Sequence, residues 1–166
     1  EDRLGFRGVH LSGDGNTMAV VSFKNGYLNT YKWDGTSWNV FSSQGQQGGG
    51  ILNGYPITMS ECGGLLNIGI YDPDGGIEQL DLSNSTIVNT FTRATLNEGR
   101  VSGVACDTST DTMYVTFYSD EQPIKKYSFT SGQWLPDITT QTHNLPSDRI
   151  WWDAIDYAAG KLIVGH

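Results

Sequence analysis

The chain of 166 residues has few basic residues, few cysteines and no long apolar run. Its 10 Lys and Arg are outnumbered by 18 Asp and Glu, which gives a net charge of −8. Nucleic acids and anionic membrane surfaces select basic proteins, so both are unsuited partners. No apolar run approaches the roughly 18 residues of a membrane-spanning helix. No signal peptide is recognisable, and because the chain begins at Glu1 without Met we expect a mature or excised piece.

The two cysteines, Cys62 and Cys106, define no metal site, because neither belongs to a C-x-x-C pair. We favour two small buried hydrophobic side chains. One disulfide is the alternative if the chain is secreted.

Turn-forming and aromatic residues are abundant: 21 Gly, 5 Pro, 8 Tyr, 6 Phe and 5 Trp. This mixture predicts an all-β domain with many turns, and no segment keeps a helical period.

A repeat of about 48 residues runs through the chain. Four segments of similar pattern end at positions 12, 60, 107 and 156, and an apolar residue follows each end six positions later: Met18, Leu66, Met113 and Leu162. Further strands follow in register, with polar turns after Trp33, Leu82 and Phe129, and Trp38, Ile87 and Trp134 then begin the last strand of each unit. We interpret these tryptophans as core or blade-edge packing. Each unit therefore contains four antiparallel strands, called A to D.

Four strands per repeat predict the blades of a β-propeller, and a sandwich is the less favoured alternative. The predicted blades cover about 9–41, 57–91 and 104–138, with a half blade at 151–166, in one partial domain 1–166. We expect the residues before Val9 to serve as an interblade linker. Three and a half blades do not close a ring, so the chain is either part of a longer protein or completes a ring with a second copy, as a homodimer.

Two stretches resemble known propeller repeats. Residues 11–20, with Tyr31-Lys32-Trp33-Asp34-Gly35 after them, resemble bacterial integrin-α-like (FG-GAP-type) repeats. Asn144-Leu145-Pro146-Ser147-Asp148, followed by residues 160–165, resembles the two-component-regulator propeller repeat, although Ile163 replaces the usual Trp. Both resemblances imply an extracellular or periplasmic module that binds or senses without chemistry.

Signs of catalysis are sparse. His10 lies in a predicted A strand, where a histidine of the core or channel is the favoured interpretation. No Gly-x-Ser-x-Gly elbow and no phosphate loop are present. A hydrolase or lactonase-type propeller would have only His10, Asp153 and Asp156 for its chemistry, so we expect no enzyme.

One short acidic loop is the only metal candidate. Asp72 and Asp74 precede Gly75 in the predicted B–C loop of blade two, with Glu78 further on. A plain turn is favoured over a calcium site, and we expect no cofactor.

Ligands of propellers usually bind the channel face, formed by the B–C loops and the segments that lead into the A strands. Arginine and aromatic residues, which dominate binding hot spots, recur there in register. The predicted ligand-binding residues are Arg7, Tyr55, Ser102, Trp151, Trp152 and Asp153. We expect a protein or small ligand as partner. Aromatic residues also suit sugars, so a carbohydrate-binding lectin is the alternative.

Overall fold

The computed structural model describes residues 4–22, 28–44, 54–62, 64–73, 75–92, 100–107, 109–118, 124–130, 133–136 and 154–165. They form fourteen β-strands and no helix. The strands are β1 (Leu4–Leu11), β2 (Thr17–Ser22), β3 (Leu28–Trp33), β4 (Trp38–Gln44), β5 (Gly54–Cys62), β6 (Leu65–Pro73), β7 (Gly76–Asp81), β8 (Thr86–Thr92), β9 (Arg100–Asp107), β10 (Thr112–Tyr118), β11 (Ile124–Thr130), β12 (Gln133–Pro136), β13 (Ala154–Ala158) and β14 (Lys161–Gly165). In this part of the chain no helix is long and apolar enough to cross a membrane.

The strands build three four-stranded antiparallel sheets and one two-stranded sheet. Each larger sheet follows chain order, β1 to β4, β5 to β8 and β9 to β12, and β13 pairs with β14. These are blades one, two and three and a half blade, with strands A to D in order. The all-β prediction and the repeat of four strands are therefore confirmed.

The A strands begin earlier than the repeat pattern indicates. They start at Leu4, Gly54 and Arg100, and residues 4–8 belong to β1 rather than to a linker. A register irregularity between Leu4 and Val9 interrupts the pairing of β1 with β2. Because a bulge breaks the alternation of two faces, the first part of the strand escapes a search for period two.

The hairpin that follows β1 is fixed by its own polar side chains. The Ser12 hydroxyl donates to the Asp14 carboxylate at 2.6 Å and accepts from the Thr17 amide at 2.9 Å. The Asn16 amide also donates to Asp14, at 2.9 Å. Gly15 has a φ of 73°, a left-handed conformation that costs glycine little. The acidic residue here shapes the turn.

Two apolar clusters lie between successive blades. One joins Ala19, Val21 and Leu28 of blade one to blade two, which contributes Leu66, Ile68, Ile70, Leu80 and Leu82. The other joins Ile77 of blade two to blade three, which contributes Val101, Val104, Cys106, Met113, Val115, Phe117 and Tyr127. The hydrophobic core of the chain is therefore a stack of blade interfaces.

The cysteines correct one prediction. Cys106 is disulfide-bonded, and Cys62 is the only other cysteine of the chain. The favoured prediction of two small buried hydrophobic thiols is therefore wrong, and the alternative of a disulfide holds. Cys62 ends the A strand of blade two and Cys106 lies in the A strand of blade three, so the covalent link joins two neighbouring blades.

Candidate functional site

The A strands of successive blades lie side by side. β1 contacts β5, β5 contacts β9, and β9 contacts β13. One hydrogen bond joins the A strands of blades two and three: the Val104 amide donates to the Thr58 hydroxyl at 3.2 Å. Positions that are equivalent in the repeat therefore occupy equivalent points along one row of inner strands.

Three of the predicted ligand-binding residues lie within these strands rather than in the loops before them. Arg7 is in β1, Tyr55 in β5 and Ser102 in β9. The side chain of Ser102 is 5% exposed, and its hydroxyl donates to the Thr116 hydroxyl at 3.0 Å. Ser102 thus contributes to the interior of blade three, whereas the side chains of Arg7 and Tyr55 lie outside the described part of the structure.

The other predicted residues are not described. Trp151, Trp152 and Asp153 precede β13 and lie outside the described residues, as do Asp74 and the side chain of Asp72. Glu78, in contrast, lies two residues inside β7 and is 1% exposed. It belongs to a buried strand and not to the B–C loop.

His10 lies at the junction of blades one and two. Its Nε2 is 3.6 Å from Oε2 of Glu61, and both side chains are partly buried. Glu61 Oε2 also accepts from the Gly13 amide at 3.0 Å. Burial lowers the pKa of His10, and the Glu61 carboxylate opposes that shift without cancelling it. At neutral pH, a neutral His10 side chain of blade one therefore faces the Glu61 carboxylate of blade two.

The hydrolase candidates are not brought together by the described residues. His10 belongs to blade one, while Asp156 is an exposed residue of the half blade whose carboxylate accepts from the Tyr157 amide at 2.8 Å. Two complete blades separate them along the ring. Within the described ranges, no group of three or more His, Cys, Asp and Glu side chains could hold a metal ion.

The sequence did not reveal an exposed apolar surface on blade one. Residues directly opposite each other in an antiparallel sheet point to the same face. The pairs Val9–Val20, Leu11–Met18, Met18–Tyr31, Tyr31–Val40 and Trp33–Trp38 therefore place one apolar row across all four strands of blade one.

We call this row the front face of blade one, because the equivalent face of each later blade packs on the blade before it. Val9 is 58% exposed, Leu11 51% and Val40 64%. The indole rings of Trp33 and Trp38 contact each other, with centroids 5.5 Å apart, but remain 39% and 36% exposed. We predicted that these tryptophans pack in the core or at a blade edge. Trp33 and Trp38 pack against each other, but neither is buried in the core.

No family model and no curated protein matches the chain. Among solved structures, the chain is similar to a propeller chain in "Crystal Structure of Mitotic Checkpoint Complex", with a TM-score of 0.66 and 15% identity. The chain is a partial β-propeller. The match covers 92% of this chain and 43% of the solved one, so the propeller arc spans less than half of that chain. At this identity the likeness shows the fold alone, and neither of the two repeat families that the sequence resembles is confirmed.

Proposed function

We propose that this partial propeller is a non-enzymatic module that binds a protein partner at its channel face, in an extracellular or periplasmic compartment. One observation supports the binding proposal: successive A strands contact each other, and β1 and β5 contain Arg7 and Tyr55, which the repeat spacing predicts to be equivalent. The propeller fold of the matched chain, which belongs to a protein complex, supports a role in protein association.

The aligned positions differ from blade to blade. Arg7 is followed by Tyr55 and then by the buried Ser102, and the next equivalent position is Trp151. Because the equivalent positions carry different residues in each blade, they favour one protein partner over several identical small-molecule sites. Arginine and tyrosine are also the residue types whose truncation most often weakens a protein interface. We therefore assign the main contacts to Arg7 and Tyr55, and further contacts to Trp151, Trp152 and Asp153.

The disulfide supports the compartment. Disulfides form and persist in secreted, periplasmic and extracellular proteins and are rare in reducing cytosol. Cys106 is disulfide-bonded in a chain with one other cysteine. Thiol titration of denatured protein from an oxidising and from a reducing expression compartment tests this. We expect no free thiol in protein from the oxidising compartment. A folded protein with two free thiols from that compartment would contradict the proposal.

The binding proposal is tested by selecting random displayed peptides on the purified chain. Selected peptides should bind the parent protein, and Arg7→Glu or Tyr55→Ala should weaken binding about tenfold or more. Val88→Glu is the matched control, because Val88 lies in the D strand of blade two and is 46% exposed. Peptides that bind all variants equally would show that the channel face is not the site.

A carbohydrate-binding lectin is the second candidate, favoured by the exposed indoles of Trp33 and Trp38, on which a sugar ring can stack. Retention on a glycan array, lost in Trp38→Ala, would support it.

Hydrolase activity abolished by His10→Gln would overturn the non-enzymatic proposal. Binding that survives a chelator would exclude dependence on calcium at Asp72 and Asp74. A small ligand and a second copy of the chain are further candidate partners.

A further inference from the structure

The turn that joins the C and D strands of blade two has the sequence Asn84-Ser85-Thr86. This is the only Asn-x-Ser or Asn-x-Thr triplet of the chain, and its middle residue is not proline. Such a triplet is the acceptor sequence for an N-linked oligosaccharide when it lies at the surface of a secreted protein. Asn84 lies in the turn, Thr86 is the first residue of β8, and both are exposed. Sequence and exposure together make Asn84 a candidate modification site.

The folded turn can accommodate a sugar on Asn84 without losing its contacts. The middle residue, Ser85, is 1% exposed, and its hydroxyl shares a hydrogen bond of 2.6 Å with the Thr30 hydroxyl of blade one. Nδ2 of Asn84 donates to the Asp81 carboxylate at 2.9 Å. An asparagine amide has two hydrogens on this nitrogen, so one remains for Asp81 after a sugar has replaced the other. The turn therefore keeps both its bond to Asp81 and its anchor on blade one.

The C–D turn of blade one has the same hydrogen bonds but carries a carboxylate instead of an amide. Oδ1 of Asn84 accepts from the Thr86 amide at 3.0 Å and from the Thr86 hydroxyl at 2.6 Å. Oδ1 of Asp34 accepts from the Thr36 amide and from the Thr36 hydroxyl, both at 2.8 Å. These bonds shape the two turns and need only an oxygen. The two turns therefore differ in the group that matters for modification, which is the amide nitrogen of Asn84.

We propose that Asn84 carries an N-linked oligosaccharide. In the transfer, Nδ2 of Asn84 forms a bond to the anomeric carbon of the first sugar, and the bond from that carbon to a lipid pyrophosphate breaks. The amide nitrogen loses one proton, and the lipid pyrophosphate is the leaving group. The co-substrate is therefore an oligosaccharide linked to a lipid pyrophosphate. This inference rests on the extracellular compartment of the proposed function, which the disulfide of Cys106 supports.

The oligosaccharide lies at the end of blade two that is opposite the channel face. Asp81, the last residue of β7, pairs with Leu65, the first residue of β6, so the C–D turn shares one end of the blade with the A–B turn. Tyr55 lies near the start of β5, at the other end of the blade. A sugar on Asn84 therefore leaves the channel face open, and we expect the glycosylated and the sugar-free chain to bind channel-face peptides equally.

The test is the mass of the chain secreted by cultured eukaryotic cells, measured before and after an amidase has removed N-linked oligosaccharides. We expect a mass above the 18.2 kDa of the chain that returns to this value on digestion. Asn84→Gln and Thr86→Val should each abolish the added mass, the first by removing the acceptor and the second by removing the hydroxyl of the triplet. Asn39→Gln is the matched control and should keep the added mass, because Asn39 is exposed but belongs to no such triplet.

A gain of modification in blade one makes the test independent of the folding of those variants. Asp34→Asn gives the exposed turn of blade one the acceptor triplet with Gly35 and Thr36, and it should add a second oligosaccharide. A secreted parent chain that has its disulfide but no removable mass would overturn the proposal and leave the proposed compartment standing. Free thiols in a secreted, folded chain would instead contradict the compartment. Added mass that persists in Asn84→Gln would also overturn the assignment, because the sugar would then lie elsewhere.

Discussion

The rings of Tyr114 and Tyr157 stack with centroids 5.3 Å apart and an interplanar angle of 16°. Tyr114 belongs to strand B of blade three and Tyr157 to strand A of the half blade. The Tyr157 hydroxyl also donates to the Asp107 carboxylate, which raises the pKa of Tyr157. A stacked ring pair and a hydrogen bond to a charged acceptor thus attach a two-stranded sheet that would be marginally stable alone.

Substitution of Tyr157 should therefore release the half blade in two steps. Tyr157→Phe keeps the stacking and loses the hydrogen bond, whereas Tyr157→Ala loses both. We expect hydrogen exchange of the β13 and β14 amides to accelerate slightly in the first variant and strongly in the second. Exchange in β2, which lies in blade one, is the internal control. Equal exchange rates in the two variants would show that the ring contact contributes nothing.

Asp107 should make stability depend on acid pH. Its carboxylate accepts from the Ser109 amide at 2.9 Å, from the Ser109 hydroxyl at 2.6 Å and from the Thr110 hydroxyl at 2.8 Å. These bonds, together with that from Tyr157, lower its pKa to about 2. A carboxylate with a lowered pKa stabilises the native state above about pH 4 and loses that contribution as the pH falls towards 2.

The measurement is the urea midpoint of the parent protein and of Asp107→Asn at several pH values. Asp107→Asn should be less stable at pH 7, and the difference should shrink below about pH 4. Other carboxylates that titrate in acid, such as Asp34, affect both proteins, so their contributions cancel in the difference. A constant difference from pH 7 to pH 2 would contradict the role of ionisation.

Particular residues show what the sequence predicted well. Met18, Leu66 and Met113 recur at nearly constant steps after polar turns, and such turns fix strand order because they demand the same few residue types. The three complete blades follow from that spacing. The early starts of the A strands do not, because the irregularity near Leu4 and Val9 breaks the two-residue period.

The candidate site was less predictable for a physical reason. Register placed Ser102 beside Arg7 and Tyr55 but did not show which way its side chain points, and Ser102 proves to bond Thr116 inside the blade. Trp33 and Trp38 have the pattern of core residues, yet they stay exposed because no described strand covers the front face of blade one. Burial depends on what packs against a face, which the pattern of one blade does not contain.

The pKa of His10 should be lower than that of an ordinary histidine. Burial lowers its pKa, and the nearby Glu61 carboxylate acts in the opposite direction. A histidine with a lowered pKa binds fewer protons in the native than in the unfolded chain, so stability falls as the pH drops below about 6.5.

The imidazole resonance, assigned by its loss in His10→Gln, measures that pKa directly. In Glu61→Gln the pKa should fall further, since the neighbouring negative charge is removed and the burial remains. An unchanged or raised pKa in Glu61→Gln would show that the 3.6 Å contact between His10 and Glu61 has no electrostatic effect.

A side chain at Gly103 should destabilise the protein, because the half blade packs directly on this residue of blade three. A Cβ at this position would lie 2.5 Å from Cγ2 of Ile155 and 2.6 Å from the Thr116 hydroxyl oxygen. Overpacking of this kind costs about 1 to 3 kcal/mol, so Gly103→Ala should lower the free energy of unfolding by that amount. Gly13→Ala is the matched control, since a Cβ at Gly13 meets nothing within 4 Å. In an Ile155→Ala background the further loss caused by Gly103→Ala should be smaller, because alanine lacks the Cγ2 atom that the new Cβ would meet. Equal urea midpoints for Gly103→Ala and Gly13→Ala would mean that the half blade does not pack on Gly103 in solution.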